Sequence, residues 1–138
     1  QLDVAILRFF EDRETFKKYR LPWKRGAILY GPPGNGKTYT LRALLRALRK
    51  PSLVVRSFEA EDDPVPQNIR TVFNKAREMA PCVLILEDLD ALIPKDHLSV
   101  LLNEIDGLAV NEGILTLATT NHLEKIDPAL AHRPSRFD

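Results

Sequence analysis

The chain has 138 residues and a mass of 15.7 kDa, with 44% hydrophobic and 28% charged residues, the make-up of one globular domain with a real core. Twenty basic side chains against nineteen acidic ones leave a net charge of +1, which excludes a global electrostatic pull toward nucleic acid or a membrane surface. No apolar run reaches the ~18 to 20 residues that span a bilayer, neither a signal peptide nor a transit segment is visible, and the lone Cys82 cannot form an internal disulfide, which favours a reducing compartment.

In chain order, "VAILRFFEDRETFKKYRLPWKRG" reads as one or two short helices leading into a strand, with Phe9, Phe10, Phe16, Tyr19 and Trp23 as packing residues. The apolar run "AILY" at 27–30 is too short for a helix and predicts the first strand. Behind it stands "GPPGNGKTYT", three glycines and two prolines in front of a Lys-Thr pair. It fits G-x-x-x-x-G-K-[ST] with Gly31, Gly36, Lys37 and Thr38, and Pro32, Pro33, Gly34 and Asn35 between them. Glycines let backbone N–H groups close on phosphate oxygens, where a Cβ would block the approach. A following helix adds unpaired donors and the positive end of its dipole. In this pattern Lys37 supplies a mobile charge for the β and γ phosphates, and Thr38 a hydroxyl for Mg²⁺. By residue frequencies the pattern arises by chance in roughly one of a few hundred chains of this size. A strand before and a helix after lower that figure, so the loop is read as holding a nucleoside triphosphate, with Tyr39 beside it.

The helix follows in "KTYTLRALLRALRK", where Leu41, Leu44, Leu45 and Leu48 share one face and Arg42, Arg46, Arg49 and Lys50 fall mostly on the solvated side. "SLVV" at 52–55 predicts a second strand, and Ile69, Val72, Phe73 and Ala76 the buried face of a second long helix. "CVLIL" at 82–86 predicts a strand buried on both faces. Glu87, Asp88 and Asp90 stand at its carboxyl end, where ligands collect in open α/β sheets. One carboxylate there can hold Mg²⁺ through its water shell, and a second can orient or deprotonate water. "DHLSVLLNEIDG" predicts a helix with Asp96 as N-cap and Gly107 as C-cap, and "ILTLAT" at 114–119 a fourth strand. Alternation of strand and helix predicts an α/β fold, an open parallel sheet of the P-loop NTPase type with helices on both faces. His97, His122 and His132 have no metal-ligand spacing. On the residues alone Asn121 reads as a turn-forming helix cap, and Arg133 and Arg136 as a solvated surface pair.

Together these motifs resemble the AAA ATPases, ring-forming machines that remodel proteins. "RGAILYGPPGNGKT" resembles the Walker A segment of that family and "NIRTVFNKAREMAPCVLILEDLDAL" its Walker B helix and strand. "LLNEIDGL", "LATTN" and "IDPALAHRPSRFD" resemble its second region of homology. The resemblance implies ATP and Mg²⁺ as cofactors and a homo-oligomer, a hexamer by family, that works on a protein substrate without nucleic acid. It makes Lys37 and Thr38 the phosphate and magnesium residues, Asn121 a side chain that positions water, and Arg133 and Arg136 arginines that reach into a neighbouring subunit's site.

Four departures from the family pattern stand out. The Walker B order is Glu87-Asp88 where Asp-Glu is usual, so Glu87 takes the magnesium position and Asp88, one methylene shorter, the base position. That order and the lead-in are similar to the mitochondrial subgroup that translocates the Rieske iron–sulfur protein. No aromatic-hydrophobic-glycine pore loop follows the second strand, where "RSFEAEDDPVPQ" offers only Phe58. Ser135 replaces a glycine between the arginines, and the family's fifth strand and helical lid fall beyond Asp138. Beginning at Gln1 and stopping at "RPSRFD", the chain is expected to be a fragment, with a helical lead-in at 1–24 and the large ATPase subdomain at 25–138, monomeric by itself. A cytoplasmic location is the default expectation, with the mitochondrial membrane implied by the subgroup. A nucleotide-gated binding or scaffold module with little hydrolysis is the alternative function. A GTPase lacks its Asn-Lys-x-Asp motif here, and a clamp loader fits neither the charge nor "RPSRFD".

Overall fold

Short apolar runs alternating with amphipathic segments give four parallel strands interleaved with helices. The computed structural model describes residues 4–31, 36–60, 62–107 and 111–130. The elements run α1 (Val4–Leu7), α2 (Arg13–Lys18), β1 (Lys24–Tyr30), α3 (Lys37–Leu48), β2 (Ser52–Val55), α4 (Val65–Met79), β3 (Cys82–Leu86), α5 (Leu89–Leu92), α6 (Leu98–Ile105) and β4 (Ile114–Thr120). The strand order is β1-β4-β3-β2, all parallel, with Lys24 opposite Ile114, Cys82 opposite Ile114 and Ser52 opposite Val83. Every residue of β3 and β4 is buried, as the continuous apolar runs predict for central strands.

Alternation along these strands sorts the core into two layers. Cys82, Leu84 and Leu86 of β3 pack with Ile69, Phe73 and Ala76 of α4 and Leu101 and Ile105 of α6. Val83 and Ile85, with Leu115 and Leu117 of β4, face the other way onto Leu41, Leu44 and Leu48 of α3 and Ile6 and Phe9 of the lead-in. Each buried Val, Leu, Ile or Phe among them contributes about 1.5–3 kcal/mol relative to exposure. Within the lead-in Phe9 stacks on Trp23 with ring centres 5.5 Å apart and meets Phe10 and Phe16 edge-on. Tyr19, expected among the packing residues, is instead exposed.

The first strand starts at Lys24, three residues ahead of the apolar run. The reason lies in long-range bonds: Lys24 Nζ donates to Ile105 O at 2.6 Å, and Gly113 N donates to Trp23 O at 2.7 Å. Lys24 thereby meets the carbonyl end of α6, where Asn111 Nδ2 also donates to Glu104 O and Ile105 O. Arg77 reaches the same corner, donating from Nε to Asn111 Oδ1 at 2.9 Å and lying 3.0 Å from Glu104 Oε1. These side chains satisfy the carbonyls that a glycine cap was expected to cover. The C-cap is Asp106, and Gly107 is not in the left-handed region. At the other end of α6, Asp96 lies in a 3₁₀ turn, 95–97, and does not cap the helix.

Gly113 has φ +81°, and a Cβ on it would stand 3.0 Å from Trp23 Cζ3 and 3.4 Å from Pro81 Cα. Gly113→Ala is therefore expected to cost about 1–3 kcal/mol, lowering the thermal midpoint by about 3–10 °C. An unchanged midpoint would show that this turn relaxes to negative φ without loss.

Cys82 is fully buried, and its Sγ lies 3.3 Å from Ala76 O; burial pushes the thiol pKa up to about 11, the behaviour of an inert core residue. Phe58, the one aromatic side chain in the segment between β2 and α4, is 2% exposed and packed in the core, so it is not presented for gripping a substrate. Among the described residues no helix is long and apolar enough to cross a membrane.

Candidate nucleotide site

At the carboxyl ends of the strands a cleft of about 540 Å³ is lined by Gly36, Lys37, Thr38, Tyr39, Leu41, Arg42, Glu87, Asp88, Thr119 and Asn121. That size lies within the range of small-molecule sites. The apolar runs place these polar residues there by ending where they do. β1 stops at Tyr30, and Gly31 N donates to Thr120 O at 3.3 Å, fixing the start of the phosphate loop to the end of β4. Pro32, Pro33, Gly34 and Asn35 lie outside the described residues. Gly36 returns in the left-handed region, φ +79°, and launches α3. The first-turn N–H groups of α3 have no intrahelical acceptors and its dipole is positive there, a site for an anion. Lys37 Nζ donates to Gly31 O at 2.7 Å, so its ammonium bridges the two ends of the loop.

The acidic wall comes from the end of β3. Glu87 N donates to Val55 O at 3.0 Å, carrying the β2–β3 ladder one residue further. The Glu87 carboxylate accepts from Arg56 Nε at 2.7 Å. Asp88 then turns into the left-handed region, φ 54° and ψ 57°, with an exposed side chain. Its N–H donates to Thr119 Oγ1 at 3.1 Å, and its carbonyl accepts from Ala91 and Leu92 of α5, both at 2.9 Å. Asp and Asn visit this region more readily than other side chains, which accounts for Asp at this turn. Asp90 takes a different part: its Oδ1 accepts from Thr120 Oγ1 at 2.7 Å, and Thr120 Oγ1 accepts from His122 N. It braces the β4 exit and lines none of the cleft.

The fold thus gathers Lys37, Thr38, Tyr39, Glu87, Asp88 and half-buried Asn121 around one space. Arg133 and Arg136 lie outside the described residues. Thr119, Arg42 and Arg56 are additions. The strand-end rule that picks out Glu87 applies equally to Arg56, the first residue after β2, and was the signal available for it. Arg42, assigned to the solvated face of its helix, is exposed but borders the cleft.

Thr38, Glu87 and Asp88 are the hard oxygen donors that magnesium takes alongside phosphate oxygens, a cation that needs only one or two protein carboxylates. The donor set therefore fits Mg²⁺ with a nucleotide. A second cleft of about 740 Å³ lies at the amino-terminal ends of β1 and β4, bordered by Arg13, Lys17, Arg20, Trp23 and Glu112. It has no phosphate loop.

Residues 27–138 match the family described as "ATPase family associated with various cellular activities (AAA)". The chain is 34% identical over 151 residues to the ribosome biogenesis ATPase RIX7 of Saccharomyces cerevisiae, covering 100% of this chain and 18% of that protein. It is 38% identical over 141 residues to the ATPase family gene 2 protein of the same yeast, covering 93% of this chain and 18% of that protein. With the ATP-dependent zinc metalloprotease YME1 homolog of Caenorhabditis elegans it shares 34% identity over 149 residues, 96% of this chain and 20% of that protein. The chain spans about a fifth of the length of these relatives. Gly36, Lys37 and Thr38 of the glycine-rich motif and an acidic strand end facing one cleft, on a sheet ordered β1-β4-β3-β2, are accounted for together by this match: the chain belongs to the AAA family of ATPases.

Proposed function

We propose that the chain binds ATP with Mg²⁺ and hydrolyses it as the large α/β subdomain, residues 25–138 after a lead-in at 1–24, of a ring-forming machine that remodels or translocates a protein. The observation that carries this reading is the meeting of Lys37, Thr38, Glu87, Asp88 and Asn121 at one cleft on the carboxyl side of the sheet. Residues 31–38 bind the phosphates, with Lys37 leaving Gly31 O to meet them. Tyr39, 79% exposed at the cleft edge, offers its ring to the base. Thr38 and Glu87 hold the cation, which when bound offsets phosphate charge and orients the terminal phosphoryl group. Asp88 receives the proton of the attacking water, and Asn121 orders that water. Arg133 and Arg136 come from "RPSRFD" of one subunit to the site of the next, where the ring has the symmetry of a hexamer. The order Glu87-Asp88 and the lead-in support placement near the Rieske-protein translocase subgroup, and with it a mitochondrial membrane location.

Separate replacement of the two carboxylates tests the assignment. Asp88→Asn is expected to lower kcat by about 10²-fold or more with ATP affinity kept. Glu87→Gln is expected to raise the Mg²⁺ concentration needed for binding. Reversal of these two patterns would exchange the roles. ATP binding without measurable turnover in the wild-type protein would instead support the nucleotide-gated module.

A further inference from the structure

At the carboxyl end of β3 the strand ladder runs out just before Asp88. Glu87 N still finds a strand carbonyl, Val55 O at 3.0 Å, whereas Asp88 N donates to a side chain, Thr119 Oγ1 at 3.1 Å. Side chains alternate along β4. Leu117 packs in the α3 layer and Ala118 in the α4 layer, so Thr119 stands on the α3 face, where the cleft lies, and Thr120 on the opposite face. Thr120 Oγ1 donates to Asp90 Oδ1 at 2.7 Å. Two successive hydroxyls at the end of β4 thus grip the turn after β3 from both faces of the sheet, Thr119 at Asp88 and Thr120 at Asp90. We infer that Thr119 is a positioning residue for hydrolysis: its hydroxyl fixes the backbone of Asp88 and, through it, the place of the Asp88 carboxylate. The inference rests on the reading of Asp88 as proton acceptor given above and adds the group that aims it.

The conformation of Asp88 is what calls for such a group. Its φ of 54° and ψ of 57° lie in the left-handed region, which a residue other than glycine keeps only where its surroundings fix it. On the carboxyl side the hold comes from α5, since Ala91 N and Leu92 N both donate to Asp88 O at 2.9 Å. On the amino side it is the Thr119 hydroxyl. The Asp88 side chain is exposed, so backbone conformation aims it and packing does not. Thr119, by contrast, is 5% exposed on a strand buried along its whole length between β1 and β3, and the most rigid part of the sheet carries its hydroxyl. Only one torsion separates an aspartate backbone from its carboxyl group, so a turned backbone passes its displacement straight to the carboxylate. A misplacement of about 1 Å is enough to cost about 10²-fold in rate.

The test is a mutant cycle read in kcat, KM and ATP affinity, at a protein concentration where turnover per chain no longer rises. Thr119→Val, which keeps the side-chain shape and removes the acceptor, is expected to lower kcat about 10- to 100-fold, with KM and ATP affinity within about twofold of wild type. Thr119→Ser, which keeps the hydroxyl, is expected to recover most of kcat. Should Thr119→Val melt too low to assay, Thr119→Ala carries the same expected loss. Thr116→Val, which removes a hydroxyl from the same strand nearer its amino end, is expected to leave kcat unchanged. Because Thr119 acts through Asp88, the double variant Thr119→Val with Asp88→Asn is expected to turn over within about twofold of Asp88→Asn alone. Losses that multiply in the double variant, or an equal loss in Thr116→Val, would overturn the inference. So would a folded Thr119→Val that keeps wild-type kcat, or a loss that Thr119→Ser does not repair. The reading beneath it fails differently: Asp88→Asn at full kcat removes Asp88 as proton acceptor, and wild-type protein without turnover removes hydrolysis itself.

Discussion

Lys37→Ala is expected to weaken ATP binding by about 10²-fold or more while the fold survives. The ammonium takes part in charge-assisted bonds, each worth about 1.5–3 kcal/mol net, and the two bonds it can give to phosphate oxygens together supply that loss. The same group donates to Gly31 O at 2.7 Å. Its removal therefore also loosens one end of the phosphate loop against the other. The core is spared, since α3 is anchored through Leu41, Leu44 and Leu48 and not through Lys37. Isothermal titration with Mg·ATP, alongside a melting curve, separates the two effects. Affinity kept within threefold in a folded variant would mean that the cleft is not a phosphate cradle.

Arg133→Ala and Arg136→Ala are expected to lower turnover by about 10³-fold with ATP affinity intact, the usual weight of an arginine delivered to a phosphoryl transition state. If those arginines complete a neighbour's site, turnover per chain in the wild type rises with protein concentration until rings are full. A mixing experiment is more discriminating. Chains carrying Asp88→Asn keep both arginines, and chains carrying Arg133→Ala keep their carboxylate. Mixed, they are expected to recover part of the wild-type rate, because some interfaces join an intact carboxylate to an intact arginine. No recovery, with ring formation verified, would place the arginines in their own chain's chemistry.

Much of this architecture was legible because its strands carry short continuous apolar runs, those of β3 and β4 buried on both faces. The runs at 52–55 and 82–86 coincide with β2 and β3, and 114–119 falls one residue short of β4. The phosphate loop and acidic strand end were legible for a related reason, since each is a departure from an apolar run at a strand's carboxyl end. The first three residues of β1 were not legible, because Lys24 and Arg25 look like solvent residues. They are held by partners far along the chain, Ile105 and the β4 ladder. The ends of α6 were misread for a similar reason. Besides the local N–H groups of Asp106 and Gly107, its last carbonyls are met by Lys24, Asn111 and Arg77, and spacing along one helix carries no trace of donors from three other segments. Arg56 escaped because a lone arginine after a short strand looks like an ordinary exposed charge. Only the register with β3 puts it against Glu87.

The strand order also governs how the chain comes to be folded during synthesis. Among the described residues β1 pairs with β4 alone, and Lys24 meets a partner some 90 residues later, at Ile114. At ordinary elongation rates, that delay is roughly 5 to 20 seconds. β2 and β3, adjacent in the sheet and joined by α4, can associate well before that. During the interval "AILY" and the glycine-rich turn behind it emerge without a sheet to join, exposing an apolar strand edge. Synthesis that stalls between residues 60 and 110 would leave that edge open, and such intermediates are the ones that aggregate or recruit chaperones.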